Sequence, residues 1–179
     1  MYKTLKEYRD RCFINSILCE ATYIYYNTIN NIILFPTILG SSVLTCLNSS
    51  NIDTDKIKYI NIVINGIITI ILAITTQYKI HDRINVFKTH QIKYTKLNHS
   101  IETILNTKKE NEISPEETTA MVNKYDMITE ELIFTFPVHI KNKVIKKYEK
   151  SNITLPNSLA LESSLVIIDV GSPPHEQTN

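Results

Sequence analysis

Residues 21–78 read ATYIYYNTINNIILFPTILGSSVLTCLNSSNIDTDKIKYINIVINGIITIILAITTQY. No charged side chain occurs at positions 21–52 or 59–78, and the interval between them carries only Asp53, Asp55, Lys56 and Lys58. A helix needs about 20 mainly apolar residues to cross a hydrocarbon core of roughly 30 Å, so each uncharged run is long enough to cross once. Two such runs around a short polar turn predict a helical hairpin through a bilayer, with antiparallel spans.

The first span centres on residues 29–47 and follows Tyr23, Tyr25 and Tyr26, whose amphipathic rings favour the headgroup level. Pro36 has no N–H to donate and predicts a kink, which neighbouring helices accommodate in a membrane. Asn27, Asn31, Ser41, Ser42 and Thr45 fall in one broad helical sector, suited to packing on another helix rather than on lipid. In the second span, residues 59–78, Asn61, Asn65 and Thr69 recur every four residues and Thr76 roughly continues the line. Gly66 and Ala73 lie beside that stripe, while Ile60, Ile64, Ile67, Ile71 and Ile74 make the opposite face apolar. Asn31, Ser41, Thr45, Asn61, Asn65, Thr69 and Thr76 together suit a helix-packing face or a pore-facing path, packing being the commoner use of such residues. No ionisable residue stands mid-span, which argues against a proton relay or a voltage sensor.

Orientation follows from the basic residues. Lys3, Lys6, Arg9 and Arg11 precede the first span, and Lys79, Arg83, Lys88, Lys93 and Lys96 follow the second, against Lys56 and Lys58 in the loop. The positive-inside rule places both termini in the cytoplasm and makes the chain a multi-pass integral membrane protein. Residues 1–20 do not read as a secretory signal, because the apolar run begins late and no small-residue cleavage site follows it. They read as a basic amphipathic lead-in helix that continues into the first span, since positions 3–35 hold neither proline nor glycine.

Residues 79–150 form the cytoplasmic helical region. Ile80, Ile84, Phe87, Gln91, Tyr94, Asn98, Ile101 and Leu105 step by alternating four and three residues, the signature of a coiled-coil seam. The lead-in helix is too short to cover all of it, so the expectation is a homo-oligomer joined along this seam, with Gln91 and Asn98 restricting its register. Ser114-Pro115-Glu116-Glu117 is a helix start with an N-cap serine, proline in the first turn and a glutamate placed for a capping box. That helix is expected to run to about Phe134 and to bury Met121, Val122, Tyr125, Ile128 and Leu132. Pro137 interrupts it before a last basic helix over residues 138–150. Residues 151–179 hold Pro156, Pro173 and Pro174 without a helical period and are expected to be mostly disordered, with an apolar stretch at 164–170 suited to docking. The fold class is thus an all-α membrane protein: a two-span hairpin, a helical stalk with a small helical cap, and a tail.

The remaining features exclude chemistry. With 19 basic and 18 acidic residues and a net charge of +1, the chain lacks the electrostatic footprint of a nucleic-acid binder. Cys12, Cys19 and Cys46 fit neither zinc spacing nor a disulfide framework and read as free thiols. His81, His90 and His99 recur every nine residues, about half a turn of phase apart, and so share no helical face. No phosphate loop or nucleophile elbow is present, so the reading is of a protein that is not an enzyme, with no catalytic, cofactor or metal site.

In helix order the chain resembles the SLATT superfamily, with a basic lead-in helix, two spans joined by a short loop, a long helix and a helical cap. The resemblance rests on Tyr25-Tyr26 before the first span and on the second span ending in Thr75-Thr76-Gln77-Tyr78-Lys79. Phe87, Tyr94 and Leu97 follow, and residues 137–150 form the closing element. It implies a non-enzymatic membrane effector that self-associates and perturbs or permeates a membrane, with no catalytic residues to carry over. The alternative is a structural or anchoring protein that links a membrane, such as the internal membrane of a large DNA virus, to a protein scaffold through its cytoplasmic helices. A chain rich in Ile, Asn, Lys, Thr and Tyr, the product of AT-rich coding sequence, suits that alternative.

Overall fold

The computed structural model describes residues 1–49, 54–149, 151, 153–156 and 159, with side chains described from Ile57 onward in the second helix. Its α-helices are α1 (Tyr2–Ser49), α2 (Thr54–Gln77), α3 (Ile80–Thr107), α4 (Pro115–Glu130) and α5 (Val138–Tyr148), and there is no strand among the described residues. The chain divides into two compact units, one of Met1–Glu20 with Thr89–Asn179, the other of Ala21–Lys88.

In the unit of Ala21–Lys88 the second half of α1 runs antiparallel to α2. Asn61 Nδ2 donates to Asn48 Oδ1 at 2.8 Å near the loop end. Farther along, a Cβ built on Gly40 would stand 3.3 Å from Ile64 Cγ2 and 3.4 Å from Ile68 Cδ1, so the glycine is what lets the two helices approach there. Pro36 lies inside α1 without ending it. The hydroxyls of Thr37, Ser41, Ser42, Thr45 and Ser49 each donate to the carbonyl four residues back, which satisfies them within their own helix.

Between α2 and α3 the helical path is interrupted at Tyr78 and Lys79 rather than continuing straight. Lys79 sits at φ 49°, the left-handed region that L-residues with a Cβ seldom adopt. Arg83 braces this corner: its Nε donates to the Tyr78 carbonyl at 3.1 Å, and its Nη1 donates to Tyr26 Oη at 3.0 Å. Tyr26 in turn stacks on Phe87, with ring centroids 6.1 Å apart and an interplanar angle of 7°. Lys88 lies over the Tyr23 ring, its Nζ 5.8 Å from the centroid.

In the other unit α3 and α4 pair antiparallel. Lys93 bonds Glu131, Tyr94 Oη shares a hydrogen bond with Thr129 Oγ1 at 3.0 Å, and Lys108 bonds Glu117. The start of α4 is the capping box expected from Ser114: its hydroxyl accepts from the Glu117 N–H at 3.1 Å while the Glu117 carboxylate accepts from the Ser114 N–H. The Lys108 ammonium, and after it the Ser114 N–H, hold the Glu117 carboxyl below the usual carboxylate range. α4 stops at Glu130, short of Phe134, because residues 131–136 turn toward Pro137 and α5.

The core of this unit is aromatic. Tyr125 meets Tyr8 edge-on at 5.1 Å and Tyr94 at 6.0 Å, and its hydroxyl accepts from the buried Asn15 amide at 3.0 Å. Leu5, Cys12, Ile14, Leu18 and Cys19 of α1 are fully buried around it. Burial pushes the Cys12 and Cys19 thiols up to about 12, and both are free. α5 contributes Tyr148, edge-on to Phe13 at 6.1 Å. After α5, the Thr154 N–H donates to Asp10 Oδ2 at 3.4 Å, and Pro156 and Leu159 are buried, while most of the tail expected to be disordered lies outside the described residues. The apolar stretch at 164–170 lies outside the described residues.

Candidate functional site

Two sets of residues stand out in the sequence, the polar stripe of the hairpin and the α3 seam, and the structure treats them differently. On α2 the half-buried positions are Ile57, Asn61, Ile64, Ile68, Ile71 and Thr75, again alternately four and three apart, and Ile64 and Ile68 meet Gly40 of α1. This is the side that packs within the chain. Of the stripe only Asn61 belongs to it. Asn65, Thr69 and Thr76 are exposed, as are Asn31, Ser41 and Thr45 on α1. Inside the hairpin Gly40 meets Ile64 and Ile68 and Asn48 pairs with Asn61, and most of the stripe faces away from that side.

The hydroxyls of the stripe need no further partner. Thr69 donates to the Asn65 carbonyl and Thr76 to the Leu72 carbonyl, both at 2.8 Å. The side-chain amides of Asn31 and Asn65 make no hydrogen bond among the described residues. These two differ in depth along the hairpin. The pairing of Asn48 with Asn61, and of Gly40 with Ile64 and Ile68, sets a register in which Asn31 is level with the Tyr78 end of α2, while Asn65 lies within the span.

On the α3 seam the single chain itself supplies cover where a second chain was expected. Phe87, Tyr94 and Ile101 are between 0% and 1% exposed in the single chain, Ile80 is buried, and Ile84, Gln91, Asn98 and Leu105 are half-buried. α4 folds back along α3 and adds to the cover that the lead-in helix gives; Tyr94 contacts both Tyr125 and Thr129 of α4. At the polar position Asn98, the side-chain oxygen is buried without a hydrogen-bond donor. A heptad pattern specifies that a face is covered, and gives no information on whether the cover comes from the same chain.

The sequence did not pair Arg83 with Tyr26 at the α2–α3 corner and did not single out Asn15 beneath Tyr125. The signal for the first pair was the basic residue one turn past the tyrosine-bounded span; for Asn15 it was a polar residue on an apolar helix face. Between α3 and α4 lies an open groove of about 330 Å³ lined by Leu97, Met127 and Ile128 together with Lys93, Lys96, Lys124 and Glu131, the last bonded to Lys93. No group of three or more His, Cys, Asp or Glu side chains stands in metal-binding proximity among the described residues. Comparison of the chain with family models, with curated proteins and with solved structures finds no match in any of the three.

Proposed function

We propose that this chain is a two-span integral membrane protein, non-enzymatic, with α3, α4, α5 and both termini on the cytoplasmic side, that self-associates and permeates the membrane in the manner of a SLATT-like effector. The observation that carries membrane insertion is the exposure of large apolar side chains along both long helices: Ile32 67%, Phe35 66%, Ile62 69%, Ile70 62% and Val63 59%. Soluble monomers seldom leave a contiguous apolar surface of more than a few hundred Å² uncovered, and here it extends along two helices, each long enough to cross. Self-association is supported by the part of the polar stripe that the hairpin leaves uncovered, since a polar face in hydrocarbon is stable only against protein or water.

The second reading, a membrane anchor for a protein scaffold, is favoured by one observation, the open groove between α3 and α4. An anchor has no need to conduct. Purified protein in liposomes separates the two: release of an entrapped ion supports the effector reading, and an inserted protein that releases nothing over a range of densities supports the anchor. Topology is tested by labelling Ser49→Cys in a Cys46→Ser background, where Cys12 and Cys19 are buried and slow to react. An impermeant thiol reagent on the extracytoplasmic side should modify it; modification from the cytoplasmic side alone refutes the orientation.

A further inference from the structure

We infer that two copies of this chain meet in the membrane along one face of α2, the face bearing Asn65, Gly66, Thr69, Ala73 and Thr76, with the Asn65 amides of the two copies paired. The inference rests on the membrane reading above and specifies the surface it uses.

At about 100° per residue, α2 presents three distinct sides. The first, from Ile57 through Ile64 and Ile68 to Thr75, packs on α1. The second carries Ile60, Val63, Ile67, Ile70 and Ile74, all exposed and all branched aliphatic, which is what acyl chains contact without penalty. The third carries Ile62, Asn65, Gly66, Thr69, Ala73 and Thr76, and every one of these is exposed, Ile62 to 69%. A Cβ built on Gly66 meets nothing within 4 Å, so nothing among the described residues makes use of that glycine's small size. Gly40 shows what such a residue does when a helix is present, admitting Ile64 and Ile68 to close contact.

Asn65 gives the third side its occupant. At 1.5 Å per residue it lies about 9 Å from Tyr59 and about 20 Å from Tyr78, inside the hydrocarbon between the two tyrosine boundaries. Its amide has no hydrogen-bond partner among the described residues, whereas Asn61, one turn earlier, is paired with Asn48 at 2.8 Å. Hydrocarbon offers no hydrogen bond, so an amide at that depth is left with the full desolvation penalty unless another protein group reaches it. Copies inserted the same way bring Asn65 to one depth in each, and a carboxamide is both donor and acceptor, so it is complementary to itself across a two-fold axis. Gly66, Thr69 and Ala73 leave room for the backbones to approach closely enough for that contact.

The test uses the full chain in phosphatidylcholine and phosphatidylglycerol liposomes. Donor- and acceptor-labelled copies are mixed, energy transfer is followed against the lipid-to-protein ratio, and insertion is checked by carbonate extraction. Interhelical polar contacts of this kind have measured strengths of about 0.6 to 1.7 kcal/mol, so Asn65→Leu should weaken association by about threefold to twentyfold. Gly66→Ile should weaken it as well, while Ile67→Leu and Ile70→Leu leave it unchanged. An inserted protein whose association is unmoved by Asn65→Leu and Gly66→Ile overturns this inference and leaves the membrane reading standing. Ready modification of Asn65→Cys by a water-soluble thiol reagent also overturns it, because the face would then line water. A parent chain extracted by carbonate refutes the membrane reading, and the inference with it.

Discussion

Replacing Tyr125 by phenylalanine tests the packing of the lead-in helix on α4. The substitution keeps the edge-on contact with Tyr8 and the ring contact with Tyr94 and removes one oxygen, the acceptor for Asn15 Nδ2 at 3.0 Å. Asn15 is 4% exposed, so water does not replace the lost partner. Leaving a buried amide unsatisfied costs about 1 to 3 kcal/mol. At about 1.4 kcal/mol per factor of ten, amide-exchange protection in residues 8–18 and 118–128 should drop by about fivefold to 150-fold. The protein is the full chain in detergent micelles, with exchange read by mass spectrometry and the peptides of α2 as internal reference. Asn15→Leu alone should cost a similar amount by stranding the tyrosine hydroxyl, and the two together should cost less than the sum of the singles, because both polar ends of the bond are then gone. Strict additivity, or a change below about twofold for Tyr125→Phe, refutes the view that this hydrogen bond joins the two helices.

Two further outcomes follow from the same coordinates. Cys12 and Cys19 ionise near 9.0 when unfolded and at about 12 when buried, so in that interval the unfolded state holds fewer protons, and stability falls as pH rises from 9 to 12 by at most about 1.4 kcal/mol per thiol per pH unit. Tyr94 and Tyr125, also raised chiefly by burial, add to the loss above pH 10, and thermal melts at pH 8, 9.5 and 10.5 should show a slope that Cys12→Ala with Cys19→Ala makes shallower. In the hairpin, Gly40→Leu should force α1 from α2 at a cost of about 1 to 3 kcal/mol, read as a lower disulfide yield between Asn48→Cys and Asn61→Cys than in the glycine parent.

The sequence made the hairpin legible because its uncharged runs are long and bounded by charge on both sides. It made the start of α4 legible because Ser114, Pro115 and Glu117 act on one another over three residues. The left-handed Lys79 was invisible, since lysine carries no turn preference and the corner depends on Arg83 reaching Tyr26, 57 residues away in sequence. The cover on the α3 seam was invisible for a related reason: Tyr94 and Tyr125 belong to periodic patterns that each identify a buried face, and pairing them requires knowing how the chain folds back at residues 108–114. The contact of Thr154 with Asp10 joins residues far apart in sequence, and local composition gave no hint that a backbone N–H from beyond α5 reaches that carboxylate.

The unit formed by Met1–Glu20 and Thr89–Asn179 is discontinuous in sequence, and that imposes an order on biosynthesis. Leu5, Cys12, Ile14, Leu18 and Cys19 are made before both apolar helices, and the aromatic residues that pack in the same core, Tyr94 and Tyr125, only after them. At roughly 5 to 20 residues per second, the interval between Glu20 and Leu159 is about 7 to 28 seconds. During that time the apolar side of residues 1–20 lacks the aromatic residues of α3 and α4 against which it packs in the folded unit.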